Sequence, residues 1–328
     1  MTSYVIRRLL GVIVVLLIVT AATYVLFFLL PSDPARLSCG KPCTPEQHAQ
    51  VIKLLGYNHA VPIQYLQFLK GILVGRTYGS GVGAVHCSAP CFGYSFPQGQ
   101  SVTSLIAGRF PITLSIAIGA AVLWLLFGVA TGTVAALYRG TWLDRVVTIG
   151  ALGGVSAPTF LVGLLGILVF GFKFNVLPVN GYVPISEDPA NWAFHLVLPW
   201  CTLAFVSAAI YTRLTRTQLL EVLSEEYIAV ARAKGLSRGR VVGRHALRAS
   251  LTPIITLFAL DLGGLLGGAV ITEKVFGMQG LGSLLIEAVS SSDLPVVVGC
   301  TVFAGALIVL ANLVVDLLYG VLDPRVLH

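Results

Sequence analysis

The chain has 328 residues, of which 56% are hydrophobic and only 11% charged, and its mean hydropathy is +0.88. These values exclude an ordinary soluble domain and predict an integral membrane protein. The net charge of +7 could indicate nucleic-acid binding, but the basic residues cluster in particular loops, as membrane topology requires.

The first predicted span is an uncharged run from Leu9 to Leu30 that follows Arg7 and Arg8. A signal peptide has a shorter apolar core and a small-residue cleavage site, whereas about 20 apolar residues are needed to cross hydrocarbon. Residues 1–30 are therefore predicted to form a retained transmembrane helix that starts in the cytoplasm. Pro31 prevents its continuation.

Residues 31–110 form the one sizeable hydrophilic region, which we expect on the extracytoplasmic side. Thr44 to Gln47 form a capping-box start for a helix that stops at Gly56. Further amphipathic helices are predicted from Pro62 to Leu73 and from Ser101 to Phe110. The region is either a cap that receives a soluble substrate-binding protein or a passive loop.

Two Cys-x3-Cys pairs occur in this hydrophilic region: Cys39, Cys43, Cys87 and Cys91. Four cysteines in an exported, loop-rich region favour two disulfides, for which three pairings exist. A zinc site that uses His48 or His86 is the alternative, but bridged cysteines are commoner on the oxidising side of a membrane. We therefore predict disulfides and no bound metal.

Residues 111–322 are predicted to contain five more spans, followed by a cytoplasmic tail at 323–328. Each span is a run with few or no charges. A short helix from Ser283 to Ser290 is predicted to dip back from the outer side. The five runs are Ile112 to Leu137, Val146 to Phe172, Leu196 to Ile210, Leu251 to Thr272 and Leu294 to Leu318.

The loop from Arg213 to Arg248 indicates the orientation, because it carries eight basic residues against three glutamates. The positive-inside rule places such a loop in the cytoplasm, and with it both chain termini. Anionic lipid headgroups are a further expected partner of these arginines.

A short amphipathic helix is predicted within this loop, at residues 225–236. Its two leading glutamates suit the positive end of the helix dipole, and Gly235 supplies a left-handed stop. Its small alanines would let another surface approach closely, so the helix suits insertion into a groove of a partner protein. The alternative is an ordinary charged loop. The predicted contact residues are Glu226, Tyr227, Val230, Ala231, Arg232, Ala233, Lys234, Gly235 and Leu236, with Tyr227, Val230, Ala231 and Lys234 on one face.

Polar or helix-breaking residues inside the spans are the candidates for a transport route. Pro158 is predicted to bend the third span, either as a structural kink or beside a water-lined path. Asp261 lies at mid-bilayer, which costs about 2.5–3.5 kcal/mol on insertion scales, so it lines a polar route or bonds to a neighbouring helix. Nearby glycines predict close helix contact. The route candidates are Pro158, Thr159, Asp261, Gly264 and Gly268.

Catalytic motifs are not found. No lysine is followed by Ser or Thr, which excludes a nucleotide-binding P-loop, and His-Glu-x-x-His does not occur. No catalytic residue and no cofactor of its own are therefore predicted. Three classes stay open: transport driven by a separate ATPase, a secondary transporter in which Asp261 couples to an ion or proton, and a non-transporting scaffold or sensor.

Residues Glu226 to Ser237, continued by Arg244 to Arg248 and Leu251 to Pro253, resemble the coupling segment of ABC importer permeases of the dipeptide, oligopeptide and nickel branch. Leu177 to Tyr182 and Glu273 to Gly282 resemble further motifs of the same branch, with a glutamine in place of the usual proline in the second. The four cysteines are not part of this pattern.

The resemblance implies an all-α integral membrane protein with six transmembrane helices, the type I ABC-importer permease fold and an extracytoplasmic helical insert after the first helix. It implies that the chain forms half of a translocation pathway for di- or oligopeptides in a prokaryotic inner membrane, with coupling through residues 221–250. Nickel or another metal chelate is the alternative cargo. The implied partners are a second homologous permease, two ATPase subunits that bind ATP and magnesium, a substrate-binding protein and membrane lipid.

Overall fold

The computed structural model describes residues 2–29, 33–79 and 84–322, with side chains described between residues 7 and 314. Pro31 and the predicted tail at 323–328 lie outside the described residues. The helices are α1 Thr2–Tyr24, α2 Pro45–Leu55, α3 Val61–Val74, α4 Val102–Leu137, α5 Trp142–Ser156, α6 Thr159–Gly166, α7 Pro189–Leu223, α8 Glu226–Ala233, α9 Arg238–Leu266, α10 Val270–Val275, α11 Leu281–Ser291 and α12 Leu294–Leu322. Two antiparallel hairpins pair β1 Arg76–Tyr78 with β2 Val85–Cys87 and β3 Tyr94–Ser95 with β4 Gln100–Ser101.

Within the described residues, five helices are long and apolar enough to cross a membrane: α1 with its continuation to Leu29, then α4, α7, α9 and α12. α5 and α6, the latter continued to Lys173, form a bent pair with an angle of 101° between its arms. The break lies at Ala157 and Pro158, both in extended backbone conformation. Counted as one span, the bent pair completes the six that the sequence predicts.

The first of two compact units comprises Met1–Leu114, Gly263–Glu273 and Gln279–Leu313. Aromatic rings dominate one of its buried clusters, where Tyr24 stacks on Phe28 at a centroid distance of 4.1 Å. Gly263 and Gly267 lie against α12, and a Cβ on Gly267 would come within 2.9 Å of the Ala304 Cβ. The glycines thus allow close backbone contact, as their spacing predicts.

The hydrophilic insert of the first unit begins with α2 as predicted. Thr44 and Gln47 form a reciprocal capping box, and Gly56 ends the helix with φ +75°. Disulfides join Cys39 to Cys43 and Cys87 to Cys91, which selects one of the three possible pairings. The two hairpins were not predicted, because strands of two or three residues carry too little alternation to detect.

The second unit comprises Ser115–Leu262, Lys274–Met278 and Val314–His328. α4 and α7 are in very close contact within it, because glycines face the partner backbone. A Cβ on Gly132 would lie 2.6 Å from the Thr212 carbonyl oxygen. The rings of Trp124 and Tyr211 pack beside this contact, at 6.2 Å between centroids.

Several predicted boundaries are wrong, including the span start at Leu251, since α9 begins at Arg238. The predicted separate helix from Ser101 to Phe110 is the first part of α4, which passes through Pro111, as spanning helices tolerate when neighbours re-satisfy the backbone. The span predicted to reach Thr272 ends at Leu266 instead, because two glycines follow. α7 starts before the predicted Leu196, since the Asp188 carboxylate accepts hydrogen bonds from two amides of its first turn.

The close contact between α4 and α7 gives a stability prediction. Gly132→Ala places a methyl against backbone atoms that cannot move aside, so we expect a loss of about 1–3 kcal/mol in the free energy of unfolding. Thermal unfolding of the purified chain in detergent measures it. The matched control is Gly150→Ala in α5, where a Cβ meets nothing within 4 Å. Equal unfolding temperatures for the two variants would contradict the packing described.

Candidate coupling site and transport route

α8 has defined ends. It starts after Glu225, whose backbone is extended, and carries Glu226 in its first turn, where the helix dipole favours an acid. At the other end the amide of Leu236 donates to the Ala231 carbonyl and the amide of Gly235 to the Arg232 carbonyl. This bond pair is a Schellman motif, and Gly235 takes the φ of +76° that the motif requires.

One side of α8 is packed into the second unit. Ile228 is fully buried and Ala231 is 9% exposed. Their buried cluster includes Leu219 from α7, and its other members are Ala136 of α4 and Val241 and Ala246 of α9. α8 is thus attached by apolar contact to three membrane-spanning helices.

The other side of α8 carries large exposed side chains. Tyr227 is 46% and Val230 is 53% exposed, although both are apolar enough to favour burial. The remaining predicted contact residues are also exposed, apart from half-buried Leu236 and buried Ala231. The prediction that Tyr227, Val230, Ala231 and Lys234 share one contact face is wrong for Ala231, which is buried beside Ile228 while the other three are exposed.

An ion pair joins α5 to α7. Arg216 of α7 donates to both carboxylate oxygens of Asp144 in the first turn of α5, at 2.6 and 2.9 Å. The Asp144 carboxylate also accepts from the Gly140 amide, so the turn between α4 and α5 is tied to α7. Close by, Arg238 of α9 donates to the Leu137 carbonyl at the end of α4.

Asp261 of α9 has a defined partner. The buried Tyr211 hydroxyl donates to its carboxylate at 2.8 Å, and both residues belong to the second unit. The Asp261 residue itself is exposed on the surface of the chain. The hydrogen bond from Tyr211 agrees with the predicted bond to a neighbouring helix, and a route-lining role for Asp261 stays a prediction.

The other route candidates lie at helix breaks or on open surface. Pro158 and Thr159 flank the break between α5 and α6, and no hydrogen bond joins either to Asp261 in the described part of the chain. In the first unit Gly268 follows the end of α9 at φ +137°, and a Cβ there would meet the Gly282 backbone at 2.9 Å. A Cβ on Gly264 would meet nothing within 4 Å.

A buried carboxylate that was not predicted as a site organises part of the first unit. Glu273 of α10 accepts from the Ser283 amide at 2.8 Å and from the Thr113 hydroxyl at 2.8 Å. Thr113 in turn accepts from the Leu281 amide. The two side chains thus satisfy amides at the start of α11 that have no partner within that helix. A glutamate directly after an apolar span and before a glycine-rich stretch was the available signal.

A basic cavity opens in the hydrophilic insert. It has a volume of about 1010 Å³, and Lys53, Lys70 and Arg76 are among its lining residues together with His59. Arg76 is oriented by hydrogen bonds to the Leu55 carbonyl and the Gln67 side chain. An ordered guanidinium flanked by two lysines favours an anionic ligand or partner surface.

The insert is linked to the turn before α12 through a second buried acid. The Ser95 hydroxyl of β3 donates to the Asp293 carboxylate. Burial raises the pKa of Asp293, against the lowering effect of this hydrogen bond. The two predicted alternative zinc ligands have other contacts: His48 bonds to Asp33 and His86 to Thr77.

Comparison with known proteins decides the family. Residues 128–328 match the family described as "Binding-protein-dependent transport system inner membrane component", and residues 1–117 match its N-terminal family. The chain belongs to the binding-protein-dependent transport permeases. It is 36% identical over 326 residues to a putative peptide transport system permease of Brucella abortus, and 37% identical over 330 residues to the glutathione transport permease GsiC of Salmonella choleraesuis. Each alignment covers 99% of both chains.

The permease has the fold of a solved ABC importer. It aligns with a chain of the inward-facing MetNI methionine ABC transporter at a TM-score of 0.54 and 17% identity, covering 70% of this chain and 99% of the other. The type I permease fold and the multi-pass membrane character implied by the sequence are thereby confirmed. The roles of the individual site residues stay predictions.

The ion pair between Asp144 and Arg216 gives a second prediction. Arg216→Gln leaves the Asp144 carboxylate without its charged partner. Breaking a fully buried ion pair costs roughly 3–5 kcal/mol. Because the Arg216 side chain is 27% exposed, we expect a smaller loss of about 1–3 kcal/mol in the free energy of unfolding. Thermal unfolding measures the loss. Arg213→Gln, an exposed arginine one turn earlier on α7, is the matched control. The interpretation is wrong if Arg213→Gln costs as much as Arg216→Gln.

Proposed function

We propose that this permease forms half of the translocation pathway of an ATP-driven peptide importer and is driven by a separate ATPase subunit that binds α8. The observation that carries the proposal is the two-sided character of α8. One side is fixed to three spanning helices by Ile228 and Ala231, and the other presents Tyr227 and Val230 to solvent. Relatives named as peptide and glutathione transport permeases favour peptide cargo.

The packing of α8 suggests how force is transmitted. An ATPase subunit that binds Tyr227 and Val230 and then changes position must also displace Ile228. All three residues lie on one helix of two turns. Ile228 contacts side chains of α4, α7 and α9, so displacement of α8 is passed to these helices without a flexible linker. Closing and opening of the ATPases on ATP binding and release would thereby reorient the membrane helices.

The complete importer needs partners that this chain does not supply. ATP and magnesium would be bound by two ATPase subunits, and a second homologous permease would complete the pathway. Asp261, Pro158, Thr159, Gly264 and Gly268 stay the candidates for the lining of that pathway. Asp261 is the most informative of them, because the residue is exposed and Tyr211 donates a hydrogen bond to its carboxylate.

The insert is proposed to receive the substrate-binding protein on the extracytoplasmic side, with residues 221–250 and both termini in the cytoplasm. Its disulfides Cys39–Cys43 and Cys87–Cys91 suit that oxidising side. Its basic cavity would take an acidic surface of the binding protein.

The coupling proposal predicts the effect of truncating the exposed face of α8. The double variant Tyr227→Ala, Val230→Ala removes contact area for the ATPase and leaves the buried side intact. We expect binding-protein-stimulated ATP hydrolysis and peptide uptake to fall at least about ten-fold, as for loss of a central interface anchor. Both are measured with the assembled complex in proteoliposomes.

Thr217→Ala, an exposed change on α7 outside residues 221–250, is the control and should keep full activity. If uptake persists in the double variant and follows an ion gradient without ATP, the chain is a secondary transporter and the proposal fails. Ala231 is unsuitable for this test, because a bulky residue there would first disturb packing within the chain.

The basic cavity predicts charge-dependent docking. Lys53→Glu combined with Lys70→Glu reverses charge at its rim, so we expect the rate of association with the binding protein to fall about ten-fold or more at low salt. Lys41→Glu, an exposed lysine between Cys39 and Cys43, is the control. Kinetics of binding-protein association with the reconstituted complex measure the effect. Equal losses for the cavity and control variants would show that only net charge matters.

A further inference from the structure

A second basic cavity lies beside α8, at the polar end of α9. It has a volume of about 590 Å³ and belongs entirely to the second unit. Its lining combines basic side chains, one tyrosine and apolar side chains from successive turns of α9. The lining residues are Tyr227, Arg244, His245, Arg248, Ala249, Leu251, Thr252 and Ile255.

No described carboxylate neutralises the positive charge of this cavity. Among the described residues no carboxylate lines it, and neither Arg244 nor Arg248 forms an ion pair with any described carboxylate. Arg216 shows the contrast, because Asp144 neutralises it. Burial and the charge of Glu225 raise the pKa of Tyr227, but Glu225 does not line the cavity.

The two arginines repel each other. Arg244 and Arg248 are exposed and about one turn apart on α9, with half-buried His245 beside them. Like charges at this spacing destabilise a helix, and a bridging anion removes the repulsion. The cavity therefore has the charge of an anion site.

The apolar part of the cavity favours a phospholipid over a free phosphate ion. Leu251 and Ile255 follow the arginines along α9, in the direction in which that helix enters its apolar span. A free phosphate ion would contact only the arginines, whereas a phospholipid would place its phosphate there and an acyl chain against Leu251 and Ile255. Tyr227 adds an aromatic ring with a hydroxyl, the residue type enriched where membrane meets water.

We propose that this cavity binds the headgroup of an anionic phospholipid, with Arg244 and Arg248 on the phosphate and Leu251 and Ile255 against the first part of an acyl chain. The membrane leaflet concerned follows from the orientation under the proposed function. Binding itself does not depend on ATPase coupling, because the cavity is formed by this chain alone. Since Tyr227 belongs both to this cavity and to the exposed face of α8, the bound lipid would lie beside the proposed ATPase contact.

Retention of lipid by the purified full chain tests the proposal. Phosphatidylglycerol bound after detergent extraction is counted by native mass spectrometry, with phosphatidylcholine as the neutral comparison. The double variant Arg244→Gln, Arg248→Gln is expected to bind phosphatidylglycerol about twenty-fold or more weakly, from the roughly five-fold per basic residue typical near an anionic surface. The charge-matched control Arg213→Gln, Arg240→Gln lies outside the cavity and should retain the lipid.

A second variant separates lipid from free phosphate. Ile255→Asn should weaken phosphatidylglycerol binding, because it removes an apolar contact for the acyl chain, whereas a site for free phosphate would not be affected by it. Equal loss in the two arginine double variants would overturn the proposal in favour of diffuse surface charge. Displacement of the lipid by millimolar inorganic phosphate would overturn it in favour of a free-anion site. The unfolding temperatures of all variants are measured to detect a folding defect. If lipid binding fails this test, the result of the Tyr227 and Val230 test still stands.

Discussion

The packing of Ile228 and Ala231 against α4, α7 and α9 is the interaction on which the position of α8 depends. A helix of eight residues has little stability of its own in water, because its nucleus is costly and few bonds repay it. α8 holds its position because these two side chains are packed among α4, α7 and α9, and because the Schellman motif at Gly235 ends it. Without that burial, α8 would be a tether rather than a rigid part of the membrane domain.

Buried polar groups support this arrangement in both units, and they do so by hydrogen bonding. In the second unit Asp144 accepts hydrogen bonds from Arg216 and from the Gly140 amide, which ties α5 to α7. In the first unit Glu273 accepts from backbone amides and from Thr113, which orients α11. Such groups are costly when unpaired, so each one favours a single arrangement of the segments it joins. A displacement of one segment is passed to its neighbours only if the segments are held in one defined arrangement.

Much of this structure was predictable from the sequence, for reasons that differ by element. The spans follow from long uncharged runs, and the start of α2 follows from the capping box at Thr44. The inward orientation of Ala231 was not predictable, because α8 has two possible stripes at helical spacing. One contains Tyr227 and Val230 and the other contains Ile228 and Ala231. Only the position of the neighbouring helices decides between them. The position of Glu273 after an apolar span was a sequence signal, but its partners are mostly backbone amides, which the sequence does not identify.

The most direct test of the central claim is site-specific cross-linking between α8 and the ATPase subunit in the assembled importer. A single cysteine replaces Val230 in a chain whose free Cys201 is changed to serine, and a short bifunctional thiol reagent is added. A cysteine at buried Ile228 is the comparison. The account predicts that Val230→Cys cross-links to the ATPase and that Ile228→Cys does not. Labelling of Val230→Cys by a reagent confined to the extracytoplasmic side, or full peptide uptake without any contact between α8 and the ATPase, would contradict it.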